Sequence, residues 1–389
     1  MADAGQAAKV APAAGRPRRD ILGRLFGNPA LVARIARVPG LRRLARREAE
    51  AIFGLMSGFV RTQILAALVE TGVIEAVLEG VDDPGTIGRR CGVPRERLSV
   101  LLRGAAAMGL VRFTRAGRVR PTGRGRLLFA VPGIAGMVRH HAILYGDLSD
   151  PGAFFRGGTD PALAAFWPYV LGGGAGPMQA AAYTRLMTDT QALVAEEALR
   201  LVDLGGVKRL LDVGGGSGAF LAAAGRAYPA LGLMLFDLPE VVAAAETCGG
   251  RIAVHPGNFR SDPLPRGADA ISLIRVLYDH GDETVLGLLR SVREALPEGG
   301  QVVIAEPMSG GDRCPDPIND TYFAVYTLAM GTGRTRTPDE IARLLEQAGF
   351  VDIRHRPGYR PFIASTITAR RAATGQAATA IGAETVNLD

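Results

Sequence analysis

The spacing of apolar residues changes near residue 206. From Glu48 to about Leu128, apolar residues recur every three or four positions, which predicts helices. From Lys208 onward, short apolar runs predict seven strands, in RLLDV, LGLMLFD, RIAVH, ADAISLIRV, QVVIAE, VDIRH and FIASTITA. Between them we predict helices from Ala219 to Tyr228, from Pro239, from Asp282 to Leu296 and from Pro338 to Ala348. This alternation predicts an α/β fold with a mostly parallel sheet and a ligand site at the carboxyl ends of its strands.

A helix-turn-helix pattern lies in the earlier, helical part of the chain. The stretch TIGRRCGVPRERLSVLLRGAAAMGL reads as two helices joined by a turn at Gly92 to Pro94, and LVRFTRAGRVRPTG reads as two short strands. Together they predict a winged helix. Because Arg95, Arg97 and Arg103 on the second helix suit a DNA backbone, a ligand-sensing DNA-binding regulator is one hypothesis for the function.

These patterns divide the chain into five segments. They are a basic tail over 1–19, a helical and winged-helix domain over 20–128, a helical connector that lines the substrate site over 129–205, a domain of alternating strands and helices over 206–370, and a second tail over 371–389. Both tails are rich in small residues and lack periodicity, so we expect them to be disordered.

Composition narrows the class of protein. With 389 residues, of which 48% are hydrophobic, the chain can bury a large core, which excludes a fibrous protein. No apolar run approaches the roughly 20 residues of a membrane-spanning helix, and we expect a cytoplasmic protein. The three cysteines are far apart, and adjacent His140 and His141 would point to different faces of a regular element, so we expect no metal site.

The net charge of +7 is weak evidence for nucleic-acid binding, because only Lys9 and Lys208 are lysines and the arginine excess resembles a GC-rich coding bias. Basic residues are concentrated near the N-terminus, where arginines interleave with apolar residues between Arg16 and Arg47. This stretch is either a solvated helix on its own domain or an amphipathic segment on anionic lipid.

A glycine-rich turn carries the strongest sign of chemistry. The strand RLLDV runs into GGGSG and a helix, so that Gly214 and Gly216 allow a tight turn against a ligand. The same residues, with Ala219, fit a dinucleotide fingerprint. However, with a bound dinucleotide the carboxylate of Asp212 would face the pyrophosphate, which is also negatively charged. With bound S-adenosylmethionine it would pair with the ammonium of the methionine moiety. Asp237, at the end of the next strand, would accept both hydroxyls of a ribose. S-adenosylmethionine is therefore favoured over NAD.

Five ordered motifs, LLDVGGGSGAFL, FDLPEVV, HPGNF, RVLYDHGDE and VVIAEPM, resemble the caffeate-type family of S-adenosylmethionine-dependent O-methyltransferases, and the resemblance covers about residues 48 to 370. It implies a Rossmann-like, mostly parallel seven-stranded sheet that binds S-adenosylmethionine. It also implies an N-terminal helical winged-helix dimerisation domain that pairs two subunits in a homodimer and does not bind nucleic acid.

Segments outside the cofactor motifs, among them RDILGRLFGNP, MVRHHAILYGDLSDP, FWPYV and YFAVYTLAMGTGRTRTPDE, resemble the carotenoid-methylating branch of the family in purple phototrophic bacteria. This implies methylation of a tertiary 1-hydroxyl on an acyclic carotenoid, and peripheral contact with the photosynthetic membrane. A tetrapyrrole or an aromatic polyketide is the alternative acceptor. Candidates for lining an apolar acceptor channel are Trp167, Tyr169, Met178, Met187, Phe323, Tyr326, Leu328 and Met330.

The resemblance also assigns roles at the site. The family's histidine base falls at Tyr278 in this chain, so either His280, two positions later, accepts the proton or Tyr278 orients the acceptor hydroxyl. Glu306 matches the acid that orients the base. Asn258 replaces an acid that contacts the adenine, Phe259 would pack on the adenine, and Arg275 would meet the methionine carboxylate. The predicted cofactor-binding residues are Asp212, Gly214, Gly216, Asp237, Leu238, Asn258, Phe259 and Arg275.

Overall fold

The structure is a computed structural model, and it describes residues 39–166, 191–243 and 249–373. Contacts divide the chain into two compact units, residues 1–120 and 121–389. Predictions for residues 1–38, for Trp167, Tyr169, Met178 and Met187, and for the chain beyond residue 373 lie outside the described ranges.

The first unit is helical with one small hairpin. Its elements are α1 Pro39–Met56, α2 Gly58–Glu70, α3 Val73–Leu78, α4 Pro84–Cys91, α5 Arg95–Ala107, β1 Val111–Phe113 and β2 Val119–Pro121. Asp83 begins α4 by accepting a hydrogen bond from the backbone N–H of Thr86 at 2.8 Å. Gly92 ends it at a φ of 66°, which favours glycine. The predicted order of helix, turn, helix and two strands is confirmed.

Four helices open the second unit: α6 Gly123–Ala130, α7 Ile134–Asp147, α8 Pro151–Phe155 and α9 Ala162–Phe166. Residues 191–201 are also helical. Leu144 of α7, Phe154 of α8 and Leu163 of α9 form one buried cluster with Tyr326 and Met330. The region predicted to be a connector therefore packs on the segment between the fifth and sixth strands, in chain order, of the seven-stranded sheet described next.

Seven strands form one sheet: β3 Arg209–Val213, β4 Gly232–Asp237, β5 Ile252–Pro256, β6 Ala270–Ile274, β7 Gln301–Glu306, β8 Phe350–Arg356 and β9 Ser365–Arg371. Their order is β5-β4-β3-β6-β7-β9-β8, with β9 antiparallel to both neighbours and the other pairs parallel. The predicted mostly parallel sheet is confirmed. From β3 the strand order continues to β4 and β5 on one side, and from β6 it continues to β7 on the other side. Because the order reverses between β3 and β6, a crevice is expected at the carboxyl ends of these two strands.

Helices cover both faces of the sheet. They include α10 Ala219–Ala227, α11 Pro239–Val242 and α12 Asp282–Ala295, whereas α13 Ala324–Ala329 packs in the cluster with α7, α8 and α9. The last helix, α14 Pro338–Gln347, also packs on the sheet. A 3-10 turn, Leu277–Asp279, follows β6, and one turn of π-helix, Asn319–Phe323, precedes α13. Adjacent residues of β3 enter different cores, Leu211 on one face and Leu210 on the other. A strand buried on both faces explains the continuous apolar runs in the sequence.

Candidate active site

A cavity opens at the carboxyl ends of β3, β4 and β6, where the strand order predicts a ligand site. The predicted site residues that line it are Gly214, Gly216, Asp237, Leu238, Asn258, Phe259, Arg275, Tyr278 and His280. Asp212 and Glu306 are fully buried and lie behind this wall. The structure therefore brings most of the predicted site together in one place.

The glycine turn forms one side of the cavity. Gly214 and Gly216 have φ angles of 69° and 59°, a region that side chains with a Cβ rarely adopt. Between them, a Cβ on Gly215 would overlap the Asp212 carboxylate and the Leu235 side chain. Sequence reasoning did not single out Gly215, although the structure gives it a strong steric reason to be glycine. The turn brings bare backbone to the cavity wall.

Asp237 ties the glycine turn to the end of β4. One carboxylate oxygen accepts a hydrogen bond from the backbone N–H of Gly216 at 2.8 Å, and the other accepts from Leu238 at 2.7 Å. Burial raises the pKa of Asp237, and these two backbone donors oppose that effect. Each oxygen keeps a second lone pair. This arrangement suits the predicted contact with two ribose hydroxyls.

Asp212 lies behind Gly215 and does not line the cavity. One of its oxygens accepts a hydrogen bond from the Ser272 hydroxyl at 2.6 Å. The other is buried and has no hydrogen-bond partner within the described ranges. Burial raises the pKa of this carboxyl to about 7. An unsatisfied buried oxygen beside the turn fits a cationic ligand group, and the predicted ammonium contact stays a prediction.

Arg275 and Tyr278 bind each other. Arg275 has a φ of 58°, an unfavourable angle for a residue with a side chain, and it sits directly after β6. Its guanidinium donates to the Tyr278 hydroxyl from Nη2 at 2.9 Å and from Nε at 3.2 Å. The predicted contact of Arg275 with a methionine carboxylate stays a prediction, and Arg275 lines the cavity while it binds Tyr278. Burial raises the pKa of Tyr278, so its hydroxyl stays protonated and can donate to an acceptor.

His280 faces a cation. Its Nδ1 lies 3.2 Å from Nη2 of Arg260, and its ring packs against the edge of Phe259. Burial, with the nearby arginines, lowers its pKa to about 4, so the imidazole is neutral. Because a guanidinium can only donate, Nδ1 must accept and Nε2 carries the proton. The imidazole can therefore donate to a ligand, and this geometry does not support the predicted role of His280 as a base.

Glu306 supports the backbone of the 3-10 turn. Its Oε2 accepts a hydrogen bond from the backbone N–H of Tyr278 at 3.2 Å, whereas its buried Oε1 has no hydrogen-bond partner in the described part of the chain. Burial raises its pKa to about 7. In this structure the carboxylate binds main chain and no imidazole, so the predicted orientation of a base by Glu306 stays a prediction.

Asn258 is part of a tight turn at the cavity. Its side-chain oxygen, which was predicted to accept from the adenine amino group, already accepts from the backbone N–H of Arg260 at 3.0 Å. Its backbone N–H donates to Asp262 at 2.7 Å. These bonds fix the position of Phe259, whose ring lines the cavity where an adenine is expected.

Arg336 is a site residue that sequence reasoning missed. Its side chain is fully buried, and it donates to the carbonyls of Leu277 at 2.8 Å and His280 at 2.7 Å. It also binds Asp282. The guanidinium thus closes the segment that carries Tyr278 and His280. Nothing in the stretch RTRTPDE distinguishes this arginine from its exposed neighbour Arg334, so no local signal could have found it.

Comparisons with known proteins agree with this geometry. A family described as an O-methyltransferase domain matches residues 163–351. The chain is 54% identical to the demethylspheroidene O-methyltransferase of Cereibacter sphaeroides, over 90% of this chain and 94% of that protein. It is 48% identical to the protein of the same name from Rhodobacter capsulatus, over 86% and 85%. Among solved structures, human N-acetylserotonin methyltransferase has the same fold, with a TM-score of 0.70 at 24% identity over 84% of this chain and 98% of that chain.

Proposed function

This chain belongs to the O-methyltransferase family, and we propose that it transfers a methyl group from S-adenosylmethionine to the tertiary 1-hydroxyl of an acyclic carotenoid. The observation that carries the proposal is the high identity to two demethylspheroidene O-methyltransferases over most of the chain. That similarity extends beyond the cofactor motifs into the segments that are expected to bind the acceptor.

The residues at the cavity fit this cofactor. Asp237 presents carboxylate oxygens for a ribose, and Phe259 presents a ring for an adenine. The bare turn at Gly214 to Gly216 allows close approach of the methionine portion, beside the unsatisfied oxygen of Asp212. S-adenosylmethionine supplies an electrophilic methyl group on its sulfonium. The protein's part is to hold the acceptor oxygen in line with that methyl group and to exclude water.

The surroundings of Tyr326 suit an apolar acceptor. Tyr326 and Met330 are buried with Leu144, Phe154 and Leu163 in one apolar cluster. Of the other predicted channel residues in the described ranges, Phe323 packs edge-on against a tyrosine, whereas Leu328 is 52% exposed and does not belong to this cluster. We propose that the hydrocarbon chain of the acceptor lies against this buried cluster.

The direct test is an acceptor panel. Purified protein is incubated with S-adenosylmethionine and detergent-dispersed 1-hydroxy carotenoids, and in parallel with phenolic polyketides and tetrapyrroles, and products are analysed by mass spectrometry for the gain of one methyl group. We expect methylation of the carotenoids alone. Methylation of another acceptor alone would contradict the carotenoid assignment. No transfer, together with salt-sensitive binding of DNA, would favour the regulator hypothesis.

Cofactor binding is expected to release a proton near neutral pH. Burial raises the pKa of Asp212 to about 7, so below that value the free protein holds this carboxyl largely protonated. A cation beside it favours the carboxylate, and binding at about pH 6 should release up to one proton, an effect that disappears above about pH 8. Calorimetry in buffers of different ionisation enthalpy measures this number. Loss of the effect in Asp212→Asn is the expected control, and an unchanged release there would exclude Asp212 as the source.

We also propose that the protein is a homodimer whose subunits meet through the junction of α1 and α2. Large apolar side chains are exposed there, among them Phe53 at 66%, Leu55 at 84% and Phe59 at 70%. A contiguous exposed patch of this kind indicates a protein interface. In light scattering we expect a dimer, and a monomer for Phe53→Asp with Phe59→Asp. Leu127→Asp, at an exposed leucine of the second unit, should leave the dimer intact.

Peripheral contact with a membrane is a separate proposal. No single helix in the described ranges is long and apolar enough to span a membrane. Two pairs of consecutive helices, each pair sharply bent, have the length and composition of a membrane span when the two helices are taken together. Arg42, Arg43, Arg46 and Arg47 are exposed on α1 and would face anionic lipid, where each basic side chain contributes about 1 kcal/mol. The surface we expect is the cytoplasmic side of the photosynthetic membrane, where the carotenoid is located.

Sedimentation with anionic vesicles tests this contact. The variant in which these four arginines are glutamines should lose most of its binding, and Arg95→Gln with Arg97→Gln and Arg103→Gln on α5 should retain it. Those three arginines are also exposed and are the matched control. Full sedimentation of the fourfold variant would contradict the proposal.

A further inference from the structure

We propose that the carboxylate of Asp279 accepts the proton of the acceptor hydroxyl during methyl transfer. The inference rests on the proposed methyl transfer, and it names a catalytic residue that sequence reasoning did not single out. Asp279 lies between Tyr278 and His280, the two residues to which the resemblance assigned this step. Like both of them, it lines the cavity.

One carboxylate oxygen of Asp279 is buried without a hydrogen-bond partner. The residue is 8% exposed, and no group in the described ranges donates to its Oδ1. A buried polar atom of a folded protein nearly always has a hydrogen-bond partner. Because Asp279 also lines the cavity, a hydroxyl group that binds there can supply the missing donor.

The main chain of Asp279 is held in place from two directions. Its backbone N–H donates to the carbonyl of Val276 at 3.3 Å, and its own carbonyl accepts from the Thr332 hydroxyl at 2.9 Å. Gly333 lies so close that a Cβ there would overlap the backbone of Tyr278 and Asp279. The protein thus satisfies the backbone groups of Asp279, and the carboxylate is the group left for a ligand. A base on a fixed backbone is already positioned for the reaction.

The other polar groups on the cavity wall are already bound to partners. Asp237, the second carboxylate among the described residues that line the cavity, accepts from two backbone N–H groups and is assigned to the ribose. The Tyr278 oxygen accepts from Arg275, and Nδ1 of His280 accepts from Arg260, which leaves both residues to act as donors. Donors can orient an acceptor oxygen but cannot remove its proton.

Titratable groups from several elements surround Asp279. Arg275, directly after β6, favours the ionised carboxylate, whereas Glu306, at the end of β7, opposes ionisation. Tyr278 and Tyr326 also interact with it electrostatically, and burial raises the pKa of both phenols, so they stay protonated. Burial outweighs the attraction of Arg275 and raises the pKa of Asp279 to about 8. Such a carboxylate is a stronger base than an exposed one.

Tyr326 connects Asp279 with the proposed acceptor surface. It belongs to the buried apolar cluster formed by α7, α8, α9 and α13, against which the hydrocarbon chain is proposed to lie. It is also close enough to Asp279 for the two side chains to interact electrostatically. A chain that lies against this cluster can therefore bring its hydroxyl-bearing end to Asp279.

The step balances without a further reactant. The acceptor oxygen forms a bond to the methyl carbon as the carbon–sulfur bond breaks, and that electron pair returns to sulfur. The hydroxyl proton moves to a carboxylate oxygen of Asp279, which becomes a neutral carboxylic acid and loses the proton to water before the next turnover. A protonated dialkyl ether is a far stronger acid than a carboxylic acid, so the transfer is downhill.

The pH dependence of the wild-type rate is the first test, and it needs no variant. Only the ionised carboxylate can accept a proton. The single-turnover rate at saturating S-adenosylmethionine and carotenoid should therefore rise about tenfold for each pH unit at low pH and level off near pH 8. Equal rates at pH 6 and pH 8 would overturn the inference.

Asp279→Asn is the second test, because an amide has nearly the same shape but cannot take the proton. We expect its rate at pH 8 to be about 100-fold lower than that of the wild type, and to be independent of pH. Glu283→Gln removes an exposed carboxylate at the start of α12, outside the cavity, and should keep the wild-type rate and pH profile. A rate within twofold of the wild type in Asp279→Asn, or an unchanged pH profile, would contradict the proposal.

Calorimetric binding of S-adenosylmethionine shows whether each variant is folded, and the wild-type profile decides if Asp279→Asn is not. The acceptor panel separates failure of this inference from failure of the proposed function. Wild-type turnover of a different hydroxyl compound would overturn only the carotenoid assignment, and both tests would then use that compound. Absence of any turnover would overturn the methyl transfer and the role of Asp279 together.

Discussion

Replacing Asp237 with asparagine is expected to weaken S-adenosylmethionine binding by about 100-fold or more. Both carboxylate oxygens accept backbone hydrogen bonds, from Gly216 and Leu238. An asparagine would place an N–H group opposite one of these donors and would also lose an acceptor for the ribose. Hydrogen bonds to charged groups contribute about 1.5–3 kcal/mol each, and every 1.4 kcal/mol changes affinity about tenfold. Calorimetric titration with the cofactor measures the loss.

Asp269 offers a matched control at the opposite end of β3. Its carboxylate also accepts two backbone hydrogen bonds, from Lys208 at 3.0 Å and Arg209 at 2.9 Å, but it does not line the cofactor cavity. Asp269→Asn should therefore leave cofactor affinity within twofold of the wild type. If Asp237→Asn bound S-adenosylmethionine as tightly as the wild type, the assignment of Asp237 to the ribose would be wrong.

The cofactor half of the site was predictable because its geometry is local. A buried strand, a glycine turn and a helix follow each other within a few residues, and the backbone angles at Gly214 and Gly216 are what the turn requires. Asp237 ends the neighbouring parallel strand, so the sheet itself brings it to the turn. The alternation of strands and helices in the sequence predicts the mostly parallel sheet, although it does not predict the order of the strands.

The catalytic half could not be predicted in the same way, because each side chain's role depends on a partner from another element. The tautomer of His280 is set by Arg260, and the carboxylate of Glu306 is occupied by the main chain of Tyr278. The carbonyl of Asp279 is held by the hydroxyl of Thr332, 53 positions later. No periodicity or motif encodes such pairings, which depend on packing.

Replacing Arg336 with methionine is expected to cost the protein both stability and activity. The change leaves the carbonyl of His280 without the guanidinium that now binds it, and it leaves the carbonyl of Leu277 with its backbone hydrogen bond from His280 at 3.1 Å. A buried unsatisfied polar group costs about 1–3 kcal/mol, and removing one partner of the ion pair with Asp282 adds to that cost. We therefore expect a loss of about 2–5 kcal/mol in the free energy of unfolding, measured by urea denaturation. Because the same carbonyls fix the segment with Tyr278 and His280, kcat should fall at least about tenfold in the folded fraction.

Arg334→Met is the matched control for Arg336→Met, because it removes an exposed arginine that binds the same carboxylate. It binds the same carboxylate, Asp282, with Nε 3.0 Å from the oxygen, but its side chain is 44% exposed and it does not reach the carbonyls of the 3-10 turn. An exposed ion pair of this kind contributes less than about 1 kcal/mol, so Arg334→Met should change stability by no more than that and leave kcat nearly unchanged. Equal losses in the two variants would mean that the shared salt bridge to Asp282 stabilises the site. A much larger loss in Arg336→Met would show that the two backbone carbonyls are what the buried guanidinium holds in place.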